Sequence, residues 1–184
     1  MEIKPKNKGY TLIEVMVAVG IFFVLIAAPS SFFVSSIRGQ QKVLASQELI
    51  DSVSYNLDYI SRALRMAKTD TEGSCIDSNA NYKLTRGGSG IKFRNYLSVC
   101  QEIFLETGQL YESKSGEEAV ALTSDDLEVV LFEINSYGWT KVDGKQPKVT
   151  IFLYVKGRRG QKPELQPEIK VQTTISQRNL DVIY

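Results

Sequence analysis

The chain is organised around Lys8-Gly9-Tyr10-Thr11-Leu12-Ile13-Glu14 and the apolar run that follows it. Residues 12–34 are almost wholly apolar and, apart from Glu14, carry no charge. At a rise of about 1.5 Å per residue, a helix of this length can cross the roughly 30 Å hydrocarbon core of a bilayer. The sequence therefore predicts a helix that lies in a membrane.

Charged side chains at the start of this run indicate orientation and function. Lys4, Lys6 and Lys8 form a short basic leader, which is expected to stay on the cytoplasmic side. Glu14 lies two residues inside the apolar run, where a carboxylate is energetically costly. Such a residue indicates a functional group that needs a partner.

The order of basic leader, glycine, aromatic residue, Thr-Leu-Ile-Glu and apolar helix resembles the class III signal of type IV prepilins and of type II secretion pseudopilins. In that family the prepilin peptidase cuts after the glycine and methylates the new N-terminus. The resemblance implies cleavage between Gly9 and Tyr10, N-methylation of Tyr10, and Glu14 as the fifth residue of the mature chain. Tyr10 replaces the commoner phenylalanine, a mild departure from the pattern.

The glutamate at this spacing has a physical explanation. Cleavage creates a positive α-amine at the start of a helix, and a subunit that joins a filament must bury this charge among apolar helices. Because an unpaired buried charge costs several kcal/mol, we expect Glu14 to pair with the amine of a neighbouring subunit and to set the axial register. The alternatives are an ordinary signal anchor with a tolerated glutamate and, less favoured, a general secretory signal peptide, whose apolar region is shorter.

The chain is predicted to contain four segments. Residues 1–9 are the leader, 10–34 the membrane and assembly half of the helix, 35–68 its amphipathic half, and 69–184 a β-rich globular domain. Pro29 is predicted to kink the helix, since proline removes a hydrogen bond and clashes with the preceding turn. The amphipathic half shows one apolar stripe at intervals of three and four residues, formed by Val43, Ser46, Ile50, Val53, Leu57, Ile60, Leu64 and Ala67.

The region after the helix is rich in strand signals and turn signals. The predicted fold class is therefore α+β, a type IV pilin-like fold with one long helix packed on a mostly antiparallel sheet. The predicted strands are 82–85, 91–97, 99–106, 109–113, 118–122, 127–137, 149–156 and 168–177.

Composition argues against several kinds of chemistry. The chain has no histidine, which excludes histidine triads and histidine metal sites, and residues 35–184 carry 19 basic and 19 acidic side chains, a balance that argues against nucleic-acid binding by long-range attraction. We expect no enzyme activity and no cofactor or metal. An enzyme using clustered carboxylates, such as Glu117-Glu118 or Asp125-Asp126, is the disfavoured alternative.

Two further features have open interpretations. Cys75 and Cys100 are expected to form a disulfide in an oxidising compartment, or else to be two separate buried thiols. The basic loop with Lys156, Arg158, Arg159 and Lys162 is either a solvated hairpin loop or a contact for DNA, an acidic protein surface or lipid headgroups.

The resemblance implies a structural subunit of a type IV pilus-like filament or a type II secretion pseudopilus. The ending Ile169–Asn179 resembles the C-terminal strand common in minor pilins and in J-type minor pseudopilins, which favours a minor subunit that primes or caps assembly. A major pilin, or a minor pilin for adhesion or DNA uptake that uses the basic loop, is the alternative. The implied partners are other pilin or pseudopilin subunits, the prepilin peptidase, the inner-membrane assembly platform and, before assembly, membrane lipid. The implied location is the bacterial inner membrane with the β-rich domain outside the cytoplasm, then an extracytoplasmic filament.

Overall fold

A computed structural model describes residues 9–115, 117–139, 145–157 and 166–178. Backbone contacts divide the chain into two compact units, the N-terminal unit (Met1–Val43) and the C-terminal unit (Leu44–Tyr184). The described elements are α1 (Leu12–Arg65), a 3₁₀ turn (Arg86–Gly88), and the strands β1 (Tyr82–Thr85), β2 (Gly90–Arg94), β3 (Cys100–Glu106), β4 (Gln109–Lys114), β5 (Val120–Ala121), β6 (Leu127–Tyr137), β7 (Lys148–Gly157) and β8 (Glu168–Ser176).

The long helix predicted from the sequence is present as α1. It begins after Thr11, whose carbonyl accepts hydrogen bonds from the amides of Glu14 and Val15. It ends at Arg65, three residues before the predicted end. The helix is continuous through Pro29, so the kink stays a prediction.

The strands form two antiparallel sheets where the sequence suggested one. One sheet has the order β1-β2-β3-β4-β5 and the other the order β6-β7-β8. Alternation of apolar and polar residues shows that a segment is a strand but does not specify which strands pair, so this division was not predictable. The sheets meet where the amide of Val129 donates to the carbonyl of Gly108 at 2.8 Å, beside an irregularity in the β6–β7 register.

The turns explain why the strands pair locally. Thr107 and Gly108 join β3 to β4 with φ values of 49° and 79°, the left-handed values of a tight hairpin turn. Gly87 and Gly88 join β1 to β2 with φ values of 66° and 102°. The glycine-rich segment is thus a hairpin turn that needs left-handed backbone conformations.

The second half of α1 packs on the sheets through one buried stripe, and the prediction of a single stripe is confirmed. Along the helix the stripe runs through Leu49, Val53, Asn56, Ile60 and Leu64, and Ala67, two residues after the helix ends, continues it. Its apolar members share one core cluster with both sheets. Two predicted members are wrong, because Val43 is 56% and Ile50 48% exposed. Leu49 takes the place of Ile50, which keeps the spacing at three and four residues along the observed stripe.

Candidate assembly site at the start of the helix

The predicted cleavage junction lies just before α1. Gly9 and Tyr10 are both exposed, and 83% of Tyr10 is accessible. A Cβ atom added to Gly9 would meet no atom within 4 Å. The described chain therefore does not itself require glycine at this position, and a requirement for it would come from an external partner.

Glu14 lies in the first turn of α1, where its side chain is exposed. A carboxylate at this end of a helix is favoured by the partial positive charge of the unpaired backbone amides. The described residues give the Glu14 carboxylate no hydrogen bond or ion pair. It is therefore available to a cation that comes from outside the described chain.

An uncharged stretch follows this carboxylate. Residues 15–37 contain no charged side chain, and as helix they extend for about 35 Å. Large side chains in the stretch are exposed, including Val24 at 71% and Phe32 at 77%. The most apolar window of the helix has none of its described residues buried inside the chain. Length and composition fit a membrane span, and apolar exposure on this scale indicates contact with lipid or protein.

The C-terminal unit contains the predicted disulfide. Cys75 and Cys100 are bonded, with their Cα atoms 5.3 Å apart. The bond connects the loop after α1 to the first residue of β3. The alternative of two separate buried thiols is therefore wrong.

Beside this disulfide lies a carboxylate that the sequence analysis missed. Asp70 is fully buried and accepts hydrogen bonds from the amides of Gly73, Cys75 and Ile76 at 3.1, 2.6 and 3.0 Å. Burial alone would raise the pKa of Asp70, but the amide hydrogen bonds outweigh it and lower the pKa. The available signal was Asp-x-x-Gly in a polar loop, a spacing at which the side chain can cap its own turn.

Only Lys156 and Gly157 of the basic loop are described, at the end of β7. The ammonium group of Lys156 lies 5.1 Å from the centre of the Tyr154 ring. Arg158, Arg159 and Lys162 lie outside the described residues. The binding role predicted for this loop stays a prediction.

One comparison with known proteins bears on this site. The family model described as the prokaryotic N-terminal methylation motif matches residues 4–28, a range that includes Gly9, Tyr10 and Glu14. Searches of curated proteins and of solved structures gave no match. The motif match and the apolar helix support a type IV pilin-like protein, and the family model extends no further than residue 28.

Proposed function

We propose that this chain is the precursor of a structural subunit of a type IV pilus-like filament or of a type II secretion pseudopilus. The observation that carries the proposal is the methylation motif placed on an exposed apolar helix with Glu14 in its first turn. An apolar helix of this length that is not covered by its own chain requires lipid or other helices as neighbours.

Processing would give the helix its assembly group. A prepilin peptidase would cut between Gly9 and Tyr10 and methylate the amine of Tyr10. In a filament, that amine would be paired with the Glu14 carboxylate of a neighbouring subunit. Because lipid and helix bundle are similarly apolar, burial alone gives little register between helices, and a charge pair would supply it.

The disulfide supports the proposed orientation. Disulfides persist in oxidising compartments and are rare in the cytosol. Cys75–Cys100 therefore favours a C-terminal unit on the outer side of the inner membrane, and the lysines of the leader favour the cytoplasmic side for the other end. Assembly would then move the subunit from the membrane into an extracytoplasmic filament.

Within this class we propose a minor subunit that primes or caps the filament and has no catalytic role. The support is the likeness of the sequence of residues 169–179 to the C-terminal strand common in minor pilins and in J-type minor pseudopilins. Its partners would be other pilin or pseudopilin subunits, the prepilin peptidase and the inner-membrane assembly platform. The motor for assembly would be a separate protein.

The first test is processing in a bacterium that carries a prepilin peptidase. We expect a mature chain that starts at N-methylated Tyr10, measured by intact mass and N-terminal sequencing. Gly9→Val should block cleavage. Gly39→Val is the matched control, because Gly39 is also exposed and a Cβ there also meets no atom within 4 Å.

The outcomes separate the proposal from its alternatives. A mature chain that retains Met1 in the presence of the peptidase would contradict it. Cleavage near Ala27-Ala28 would instead indicate a general secretory signal peptide. Equal processing of Gly9→Val and Gly39→Val would show that the peptidase does not recognise Gly9.

A further inference from the structure

A groove of about 620 Å³ lies in the C-terminal unit. One wall is the end of α1, with Tyr59 and Ala63, and the residue directly after the helix, Met66. The other wall carries Tyr96 and Leu97, from the loop between β2 and β3. This groove is separate from the apolar half of the helix.

The loop that carries the second wall is internally braced. The buried side chain of Asn95 accepts hydrogen bonds from the amides of Leu97 and Val99, both at 3.0 Å. Its amide nitrogen donates to Gln101 Oε1 at 3.1 Å. The next residue after Val99 is Cys100, which the disulfide fixes. The apolar side chains of this loop are thus presented in a preorganised form, which lowers the entropy cost of binding.

Three polar residues that line the groove, Tyr59, Gln101 and Lys114, are held by one carboxylate that is not itself part of the lining, Glu112. Glu112 accepts hydrogen bonds from the Tyr59 hydroxyl at 2.6 Å and from Gln101, and its other oxygen lies 3.1 Å from Lys114 Nζ. The hydrogen bond to Glu112 raises the pKa of Lys114, so the ammonium stays charged. Lys114 has three N–H donors, so further donors are available to a carboxylate that enters the groove.

The edges of the groove are apolar and accessible. Met66 is 41%, Tyr96 57% and Leu97 64% exposed. Arg62 also lines the groove, and its ion pair with Asp58 at 2.9 Å is exposed on both sides. Exposed pairs of this kind are weak, so the guanidinium can also contact another acid. Glu117 also lines the groove, so the lining contains two cations and one acid. The groove therefore suits a segment that combines apolar side chains with a single carboxylate placed at Arg62 and Lys114.

Such a segment follows the last described residue. The amide of Arg178 donates to the carbonyl of Arg65 at 2.9 Å. Met66, the next residue of the chain, is at the edge of the groove, and successive helical residues differ by about 100° around the axis. Residues 179–184 read Asn-Leu-Asp-Val-Ile-Tyr, with four apolar side chains and one carboxylate. Six residues reach up to about 20 Å, enough to pass from Arg65 to the far side of Met66.

We propose that residues 179–184 bind in this groove of the same chain, with their apolar side chains against Met66, Tyr96 and Leu97 and with Asp181 facing Arg62 and Lys114. The tail would then cover the apolar edges of the groove. The proposal is independent of the filament role.

The first experiment measures tryptic cleavage between Arg178 and Asn179 on the full chain in detergent. Cleavage of a bound tail follows the population of its open form. We expect Leu97→Asp, and separately the pair Leu180→Asp with Ile183→Asp, to raise the initial cleavage rate by about tenfold. Val130→Asp, at an exposed apolar residue on β6, is the control and should leave the rate unchanged. Leu97→Asp decides the result because it leaves the cleaved sequence intact.

The second experiment uses ¹³C-methyl methionine NMR on the same samples. The Met66 signal should shift when the tail carries its two aspartates, and a peptide of residues 179–184 added to a chain that ends at Arg178 should reverse the shift. Met16, in the N-terminal unit, is the internal control. Equal cleavage rates for Leu97→Asp and the intact chain, or a Met66 signal that ignores the tail substitutions, would overturn the proposal. Protection that grows with protein concentration would assign the groove to the tail of a second copy and would also overturn it.

Discussion

The two parts of α1 use the same apolar residue types in opposite ways. In the N-terminal unit Ile13 is 71% and Leu25 66% exposed, whereas in the C-terminal unit Ile60 and Leu64 are fully buried. The second part repeats its buried apolar residues every three or four positions, and most residues on its other faces are polar. The first part is apolar all round, so one covered face could not bury it.

This difference shows where each part of the helix obtains its stability. The stripe of the C-terminal unit is stabilised within one chain, by burial against the two sheets. The apolar part has no such cover among the described residues. This part must therefore contact other molecules, which in the proposed function are lipid and other subunits.

The apolar part of α1, which depends on neighbouring molecules, should be the most sensitive to substitution. The proposed filament role predicts that Glu14→Val leaves cleavage after Gly9 intact but strongly reduces assembly, because the neighbouring amine would be buried without a partner. The measurements are the mass of the mature chain and the yield of sheared or secreted filaments.

Asp51→Val is the matched control, since Asp51 is an exposed carboxylate on α1 in the C-terminal unit. It should assemble like the unmodified chain. Normal filament yield from Glu14→Val would show that register does not depend on this carboxylate.

The same leucine-to-alanine substitution in each part of α1 should have unequal effects on stability. Leu64→Ala should lower the free energy of unfolding of the C-terminal unit by about 2–5 kcal/mol, the range for a leucine that leaves a core cavity. Leu25→Ala should change it by less than about 0.5 kcal/mol, as expected away from packed sites. Guanidinium titration of the full chain in detergent, followed by the fluorescence of the single tryptophan Trp139, measures both.

Trp139 is a suitable probe because it is packed in the C-terminal unit. Its indole nitrogen donates to the carbonyl of Lys148 at 2.8 Å, and its ring centre lies 5.2 Å from that of Tyr82. Tyr82 in turn donates from its hydroxyl to the carbonyl of Leu64 at 2.7 Å. Equal stability losses for Leu64→Ala and Leu25→Ala would contradict the division of roles along α1.

Local signals predicted much of the fold. Strand β1 has its predicted bounds and β6 its predicted start and end, because alternation and nearby turn residues specify a strand locally. The helix and the glutamate in its first turn could also be predicted, because a long uncharged run and an isolated Glu14 are visible in the local sequence alone. The sequence could not show whether Leu49 or Ile50 belongs to the buried stripe, because both residues are apolar. Only packing against the sheets determines which of the two is buried.

Features that depend on distant partners were not predictable. The division into two sheets follows from pairings across the chain. The Glu112 cluster joins residues from α1, β3 and β4, and Asp70 is in the loop between α1 and β1. The sequence shows that Asp70 is acidic and three residues before a glycine. The burial of its carboxylate depends on how the rest of the loop and Arg94 fold around it.

Asp70 gives the smallest of these effects and tests whether the C-terminal unit depends on this buried charge. Asp70→Asn keeps one acceptor oxygen but loses the charge that the amides and Arg94 face, so we expect a loss of about 1–3 kcal/mol at pH 7. Asp77→Asn is the control, because its pair with Lys83 is exposed and worth at most about 1 kcal/mol.

The pH dependence of this loss separates the charge of Asp70 from its shape. The pKa of Asp70 is lowered in the folded chain, so the unfolded chain binds the proton first as pH falls. The stability advantage of the unmodified chain over Asp70→Asn should therefore be constant above about pH 5 and shrink as pH falls below about 4. Unfolding midpoints from pH 3 to 7 measure it, and a difference that stays constant through pH 3 would show that the carboxylate charge is not what the loop requires.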